Sequence, residues 1–296
     1  MSSEQLAALK TLLWERGKPT NPTVPEMRAR IAEVGERFPA PADADVTPVT
    51  VADRPAEWVA APGCLSDRAV LYLHGGGYVI GSCDTHRNLA YNLSAASKAR
   101  VLLLDYRLAP ESPFPAAVDD AVNAYCWLLD EGFGPERLCI AGDSAGGGLT
   151  VATLVALRYR GQPMPAAGLC LSPWVDMEGV GASMAAKEDE DPTLNHEALL
   201  WFSERYLAGA DARAPLAAPI YADLSGLPPL LVQVGTAEVL LDDSLRLAER
   251  ARAAGVDVSL DVAHDMMHVW HLFAPVLDEA GEAIARAGIF LRGRMR

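Results

Sequence analysis

The chain has 296 residues, 50% of them apolar and 22% charged, and 39 acidic against 25 basic side chains leave a net charge of −14. This composition supports a large core and excludes a disordered or fibrous chain. Its acidity repels phosphate backbones and argues against a nucleic-acid binder, and no apolar run approaches the roughly 18–20 residues of a membrane helix.

Met1 to Lys10 lacks a basic segment followed by an apolar one, so no secretory signal is expected. Leu6, Leu9, Leu12 and Leu13 recur at helical spacing. A Pro-rich stretch, Lys18 to Pro25, interrupts them, and a second amphipathic helix is expected over about 25–37, with Met27, Ile31 and Val34 on one face. Pro39 to Asp45 reads as a linker. Short runs near 46–51 and 56–60 fit an antiparallel edge hairpin.

Apolar runs bounded by turn residues then alternate with helical patterns. Strands are expected at 69–73, 101–104, 138–141, 168–171, 230–234 and 258–262, and helices at about 86–98, 116–130, 145–160, 243–254 and 276–291. That rhythm implies an α/β fold with a mostly parallel sheet and helices on both faces. One interval breaks it. Between Ser172 and Leu230 lie an acidic run, Lys187 to Asp191, and a helical pattern at 195–207 holding Leu199, Leu200, Trp201, Phe202 and Tyr206. A connection this long is read as an inserted element. It is expected to pack with the N-terminal helices as a lid over one end of the sheet, with Trp14, Trp201 and Phe202 either lining a pocket or forming the lid's own core. The expected units are lid helices over 1–45 and an α/β domain over 46–296 with a lid insertion at about 177–210. The five cysteines, odd in number and without a CxxC pair, suit reduced thiols in a cytoplasm better than disulfides or a zinc cage.

Gly142-Asp-Ser144-Ala-Gly146 follows one expected strand and precedes a helix. Glycines on both sides permit the tight turn, which projects the serine hydroxyl at the strand's end beside unpaired helix N–H groups. The bland alternative is close helix–strand packing. His74-Gly-Gly-Gly77, directly after another strand, aims backbone donors inward, as an oxyanion requires; His74 itself is read as bracing the loop. The same glycines also imitate a dinucleotide site with Asp105 on the ribose, but the helix begins after them, near Thr85. A nucleophilic serine needs a base and an orienting group. His264, His268 and His271 cluster after the last strand. Zinc binding by His264 and His268 requires a helix there, where a strand has just ended. Glu238 is the first carboxylate after strand 230–234, whereas Asp242 and Asp243 read as the local start of a helix, leaving Glu238 preferred and Asp242 as the alternative.

Together, His74-Gly-Gly-Gly77, Asp105-Tyr-Arg-Leu-Ala-Pro-Glu111 with Pro113 to Asp120, Gly142-Asp-Ser-Ala-Gly146 and Met267-His268-Val-Trp270 resemble the bacterial hormone-sensitive-lipase-like (family IV) carboxylesterases of the α/β-hydrolase fold. The resemblance covers about 70–290 and, more loosely, the N-terminal helices, which form a cap in that family. It implies an eight-stranded, mostly parallel sheet. It implies Ser144 as nucleophile, His268 as base, and the N–H groups of Gly75, Gly76 and Ala145 as the oxyanion hole. The family more often carries Asp where Glu238 stands. The expected activity is hydrolysis of short-chain carboxylic esters through an acyl-enzyme, with no cofactor, no metal, a small-molecule ester as partner, and a homodimer compatible with the family. An amidase or arylformamidase, and a non-catalytic binder on the same fold, are the alternatives.

Overall fold

The computed structural model describes residues 3–20 and 22–296. Met1, Ser2 and Asn21, part of the expected 1–45 cap unit, lie outside the described residues.

Two helices come first, α1 (Glu4–Arg16) and α2 (Val24–Arg37). The Ser3 side chain caps α1 by accepting from the Leu6 N–H, and Thr23 and Glu26 form a reciprocal capping box that starts α2, with Pro25 suited to its first turn. Next come β1 (Asp45–Val51), β2 (Arg54–Ala60), β3 (Leu65–Leu73), α3 (Cys83–Ser97), β4 (Ala99–Leu104), α4 (Ala116–Asp130), β5 (Leu138–Asp143), α5 (Ala145–Tyr159) and β6 (Ala167–Leu171). The long connection holds α6 (Ser183–Ala186) and α7 (His196–Leu207), and the chain closes with β7 (Leu230–Gly235), α8 (Leu241–Ala253), β8 (Val258–Ala263) and α9 (Asp278–Arg294).

Among the described residues the strands form one eight-stranded sheet in the order β1-β2-β4-β3-β5-β6-β7-β8. β1 and β2 form the antiparallel edge hairpin, β2 joins β4 antiparallel, and the pairings from β4 through β3, β5, β6 and β7 to β8 are all parallel. Side-chain alternation divides the core in two. Leu71, Leu73, Leu102, Leu104 and Ile140 face α4, α5 and α8, while Val70, Tyr72, Val101, Leu103 and Cys139 face α3 and α9. A strand covered on both faces needs apolar residues at every position, which is why these runs read as continuous. Because these strands are parallel, the loops after β3, β5, β7 and β8 emerge along one carboxyl edge, and the reversal of strand order around β3 opens there the crevice in which open α/β sheets place their ligands.

A third, smaller core lies outside the sheet. Leu6 of α1 is fully buried with Met266, Met267 and Trp270, so the first helix packs directly on the loop that follows β8. Among the described residues no helix is long and apolar enough to cross a membrane.

Candidate active site

Ser144 sits between β5 and α5 with φ +53° and ψ −122°. That conformation is strained for any residue with a Cβ and is held only where the surroundings impose it. Here the end of β6 does so: the Ser144 N–H donates to the Leu171 carbonyl at 2.8 Å, and its carbonyl accepts from the Trp174 N–H at 2.9 Å. The glycines beside it have steric causes. A Cβ at Gly146 would collide with the Leu73 carbonyl oxygen, and one at Gly142 with the Gly146 carbonyl oxygen.

His268 lies beyond β8, past a turn at 264–265 rather than on a helix. Its Nε2 is 2.9 Å from Ser144 Oγ and its Nδ1 is 2.8 Å from Glu238 Oε2. Ser144, Glu238 and His268, distant in sequence, thus share one continuous hydrogen-bonded line, with Glu238 fully buried. The extra methylene of glutamate is absorbed by folding back on its own loop, where Oε1 accepts from the Gly235 N–H at 2.7 Å and from Ser172 Oγ at 2.8 Å. Burial pulls the His268 pKa down, but the hydrogen bond and charge of Glu238 outweigh it, helped by Asp191 and Asp143, so its pKa is raised above the ordinary imidazole value. His264 is exposed in the turn, and His271 is buried against Gln233 Oε1, with burial pushing its pKa down to about 3. Neither joins the line.

Asp242 and Asp243 serve more than the local helix start expected of them. Asp242 accepts from the Ser183 N–H, and the buried Asp243 accepts from the N–H groups of Val175 and Asp176. Both fasten the inserted connection to α8. Desolvation raises the Asp243 pKa to about 7, with those N–H groups opposing it.

The buried Asp143 couples the serine turn to the His74–Gly77 loop. Its carboxylate accepts from Tyr72 Oη at 2.8 Å and the Gly75 N–H at 3.1 Å and lies 3.3 Å from His86 Nε2. Burial pushes its pKa up, but His86 and Tyr72 outweigh that and hold it below the usual carboxylate range. This corrects the expectation for Gly75: its N–H is turned inward to Asp143 and is not free for an oxyanion. Gly76 and Gly77, at φ +115° and +60°, have N–H groups with no protein acceptor among the described residues. Ala145 opens α5, so its N–H has no helical partner. His74 braces the loop as expected. It stacks on Tyr106 at 4.3 Å, and burial, with the neighbouring His86, pushes its pKa down to about 4.

A cavity of about 200 Å³ opens over Ser144 and His268. Its floor includes Gly76, Gly77 and Trp174, and its walls include Met27, Ile31 and Val34 of α2 with Leu199 and Phe202 of α7. Phe202 therefore lies where a pocket residue was expected, but Trp201 does not. Consecutive helical residues point about 100° apart, so Phe202 shares its face with Leu199 while Trp201 lines a neighbouring groove with Lys18 and Glu197. Trp14 is exposed beneath Lys18.

Two contributors were not singled out from sequence. Ser172, at φ +45°, donates to Glu238 and accepts from the Val269 N–H at 3.2 Å, tying acid loop to histidine loop. Asp191, last in the acidic run, accepts from Thr193 and Leu194 on one oxygen and from the Val239 N–H on the other. A buried carboxylate in a charge run carries no sequence signal beyond its Asx-turn setting before Pro192. Ser172→Ala is expected to lower kcat about tenfold or more, the scale of one hydrogen bond to a charged group, with KM little changed. Steady-state rates on a soluble ester check this.

The chain matches the α/β hydrolase fold family over residues 70–272. It is 52% identical over 244 residues to an acetyl-hydrolase of Streptomyces hygroscopicus, covering 82% of this chain and 81% of that one. It is 33% identical over 260 residues to an esterase of Acinetobacter venetianus, covering 88% and 86%. Among solved structures it is similar to an esterase of the bacterial hormone-sensitive lipase family, with a TM-score of 0.97, 51% identity and 100% of both chains covered. The chain belongs to the α/β-hydrolase fold family, among its bacterial hormone-sensitive-lipase-like esterases.

Proposed function

We propose that this protein is a serine carboxylesterase acting on short-chain esters through an acyl-enzyme. The observation that carries the reading is the unbroken line from Ser144 Oγ through the His268 ring to Glu238 at the floor of an apolar cavity. His268 Nε2 takes the Ser144 proton as Oγ attacks the ester carbonyl. The N–H groups of Gly76, Gly77 and Ala145 face the developing oxyanion; Gly75 is replaced in this role by Gly77. His268 then protonates the leaving alcohol and, in the second half, activates the water that releases the acid. Glu238 accepts the Nδ1–H throughout, which fixes the productive tautomer. The helices of 1–45 and the insertion at about 177–210 act together as a cap that sets cavity size. Placement in the cytoplasm and a homodimer complete the proposal; the cysteine pattern supports the former and family resemblance the latter.

The cavity's roughly 200 Å³ is below the approximately 300–1,000 Å³ typical of pockets for drug-sized ligands, which favours small acyl groups. Initial rates on a ladder of p-nitrophenyl esters are expected to peak at short chains. A maximum beyond about ten carbons contradicts a pocket of this size, and absence of turnover across the ladder contradicts the esterase reading.

A further inference from the structure

The cavity over Ser144 is walled on its cap side by Leu13, Met27, Ile31 and Val34, and two arginine side chains join that lining. Arg16, in the last turn of α1, and Arg30, in the middle of α2, are the only Lys or Arg side chains lining it among the described residues. Their situations differ. Arg16 Nη2 donates to Glu33 Oε2 at 2.6 Å and to the Arg30 carbonyl at 2.9 Å. Arg30 Nη2 donates to the Gly17 carbonyl oxygen, and among the described residues no carboxylate lies within ion-pair distance of it. Two positive charges therefore share one carboxylate, leaving an excess of one at the cavity wall. The other charged group in the lining, Asp143, is already held by Tyr72, Gly75 and His86.

We propose that Arg30, assisted by Arg16, is a specificity-determining residue that receives a carboxylate carried by the ester away from its scissile bond. A guanidinium offers five N–H donors in a planar fork matched to a carboxylate, and Arg30 spends one nitrogen on a neutral carbonyl. Burial and the Arg16 charge pull the Arg30 pKa down, and Glu33 offsets this only in part, so an incoming anion relieves a repulsion already present. The preferred substrates are thus half-esters of dicarboxylic acids or esters of carboxylate-bearing alcohols.

This inference rests on the esterase reading, and its test separates the two. Three probes are compared on wild type, Arg30→Met and Arg30→Gln: p-nitrophenyl butyrate as the neutral ester, mono-p-nitrophenyl glutarate with the carboxylate on the acyl arm, and 4-butyryloxybenzoate with it on the alcohol arm. In both variants kcat/KM for at least one carboxylate ester is expected to fall about tenfold or more, mainly through KM, with the neutral ester within about twofold. The responding probe identifies the arm. Added salt should erode the preference in wild type and leave the variants flat. An unchanged ratio of carboxylate to neutral rates, or a parallel loss on all three probes, overturns the inference while the esterase reading stands. Failure of wild type on all three overturns both.

Discussion

Ser144→Ala is expected to reduce ester turnover by roughly 10⁴- to 10⁶-fold while leaving the fold intact. The loss is large because the remaining groups cannot substitute for a nucleophile: the oxyanion donors and cavity still bind the ester, but His268 has no proton to take from an alcohol. Residual rate over water then reports those donors alone. The fold should survive because Ser144 Oγ bonds only His268 among the described residues, and the backbone grip on residue 144 comes from Leu171 and Trp174, not the hydroxyl. A serine-directed phosphonate provides the second readout. Wild type should be labelled once and the variant not at all, with superimposable circular dichroism and melting curves. A labelled variant moves the nucleophile elsewhere. Wild type that refuses the label favours a binding protein on the same scaffold.

Much of this site was legible in the sequence because its parts are stereochemically constrained. A serine between glycines after a buried strand leaves few other readings once Gly142 and Gly146 are seen to press against backbone. The parallel strands were visible as apolar runs since both faces are covered. What escaped is what depends on contacts across the fold. That the Gly75 N–H is taken by Asp143 follows from the approach of two loops, so no local pattern distinguishes it from Gly76 or Gly77. Ser172 lies 66 residues from the carboxylate it supports. Asp242 and Asp243 look like helix-start acids and are also clamps on the inserted connection, a role decided by where that connection returns. Trp201 and Phe202 are adjacent and equally apolar, and only the rotation of α7 about its axis separates them.

Glu238→Gln should cut kcat by about 10³- to 10⁴-fold and move the acid limb of the pH–rate profile downward. The tautomer argument sets the magnitude. The carboxylate Oε2 accepts the Nδ1–H, leaving Nε2 as the acceptor that faces Ser144. An amide that already accepts from Gly235 and Ser172 through its oxygen presents its NH₂ to Nδ1, which forces the proton onto Nε2 and aims a donor at the serine. The direction of the pH shift follows from the balance at the ring. Burial favours neutral His268, and the bond to Glu238 with its charge overcomes that and raises the pKa above 6.5. Catalysis needs the neutral ring, so in wild type activity is present above that raised pKa and is lost as pH falls through it. Without the carboxylate charge, desolvation dominates, the imidazolium is disfavoured, and the residual activity persists to lower pH than in wild type. Asp242→Asn, which touches Ser183 rather than the ring, should leave both the plateau and the limb nearly in place. Profiles of kcat/KM from pH 4 to 9 for the three proteins decide the matter. A larger loss in Asp242→Asn would move the orienting acid to residue 242, and an acid limb shifted upward in Glu238→Gln would mean that residue 238 does not hold the imidazolium.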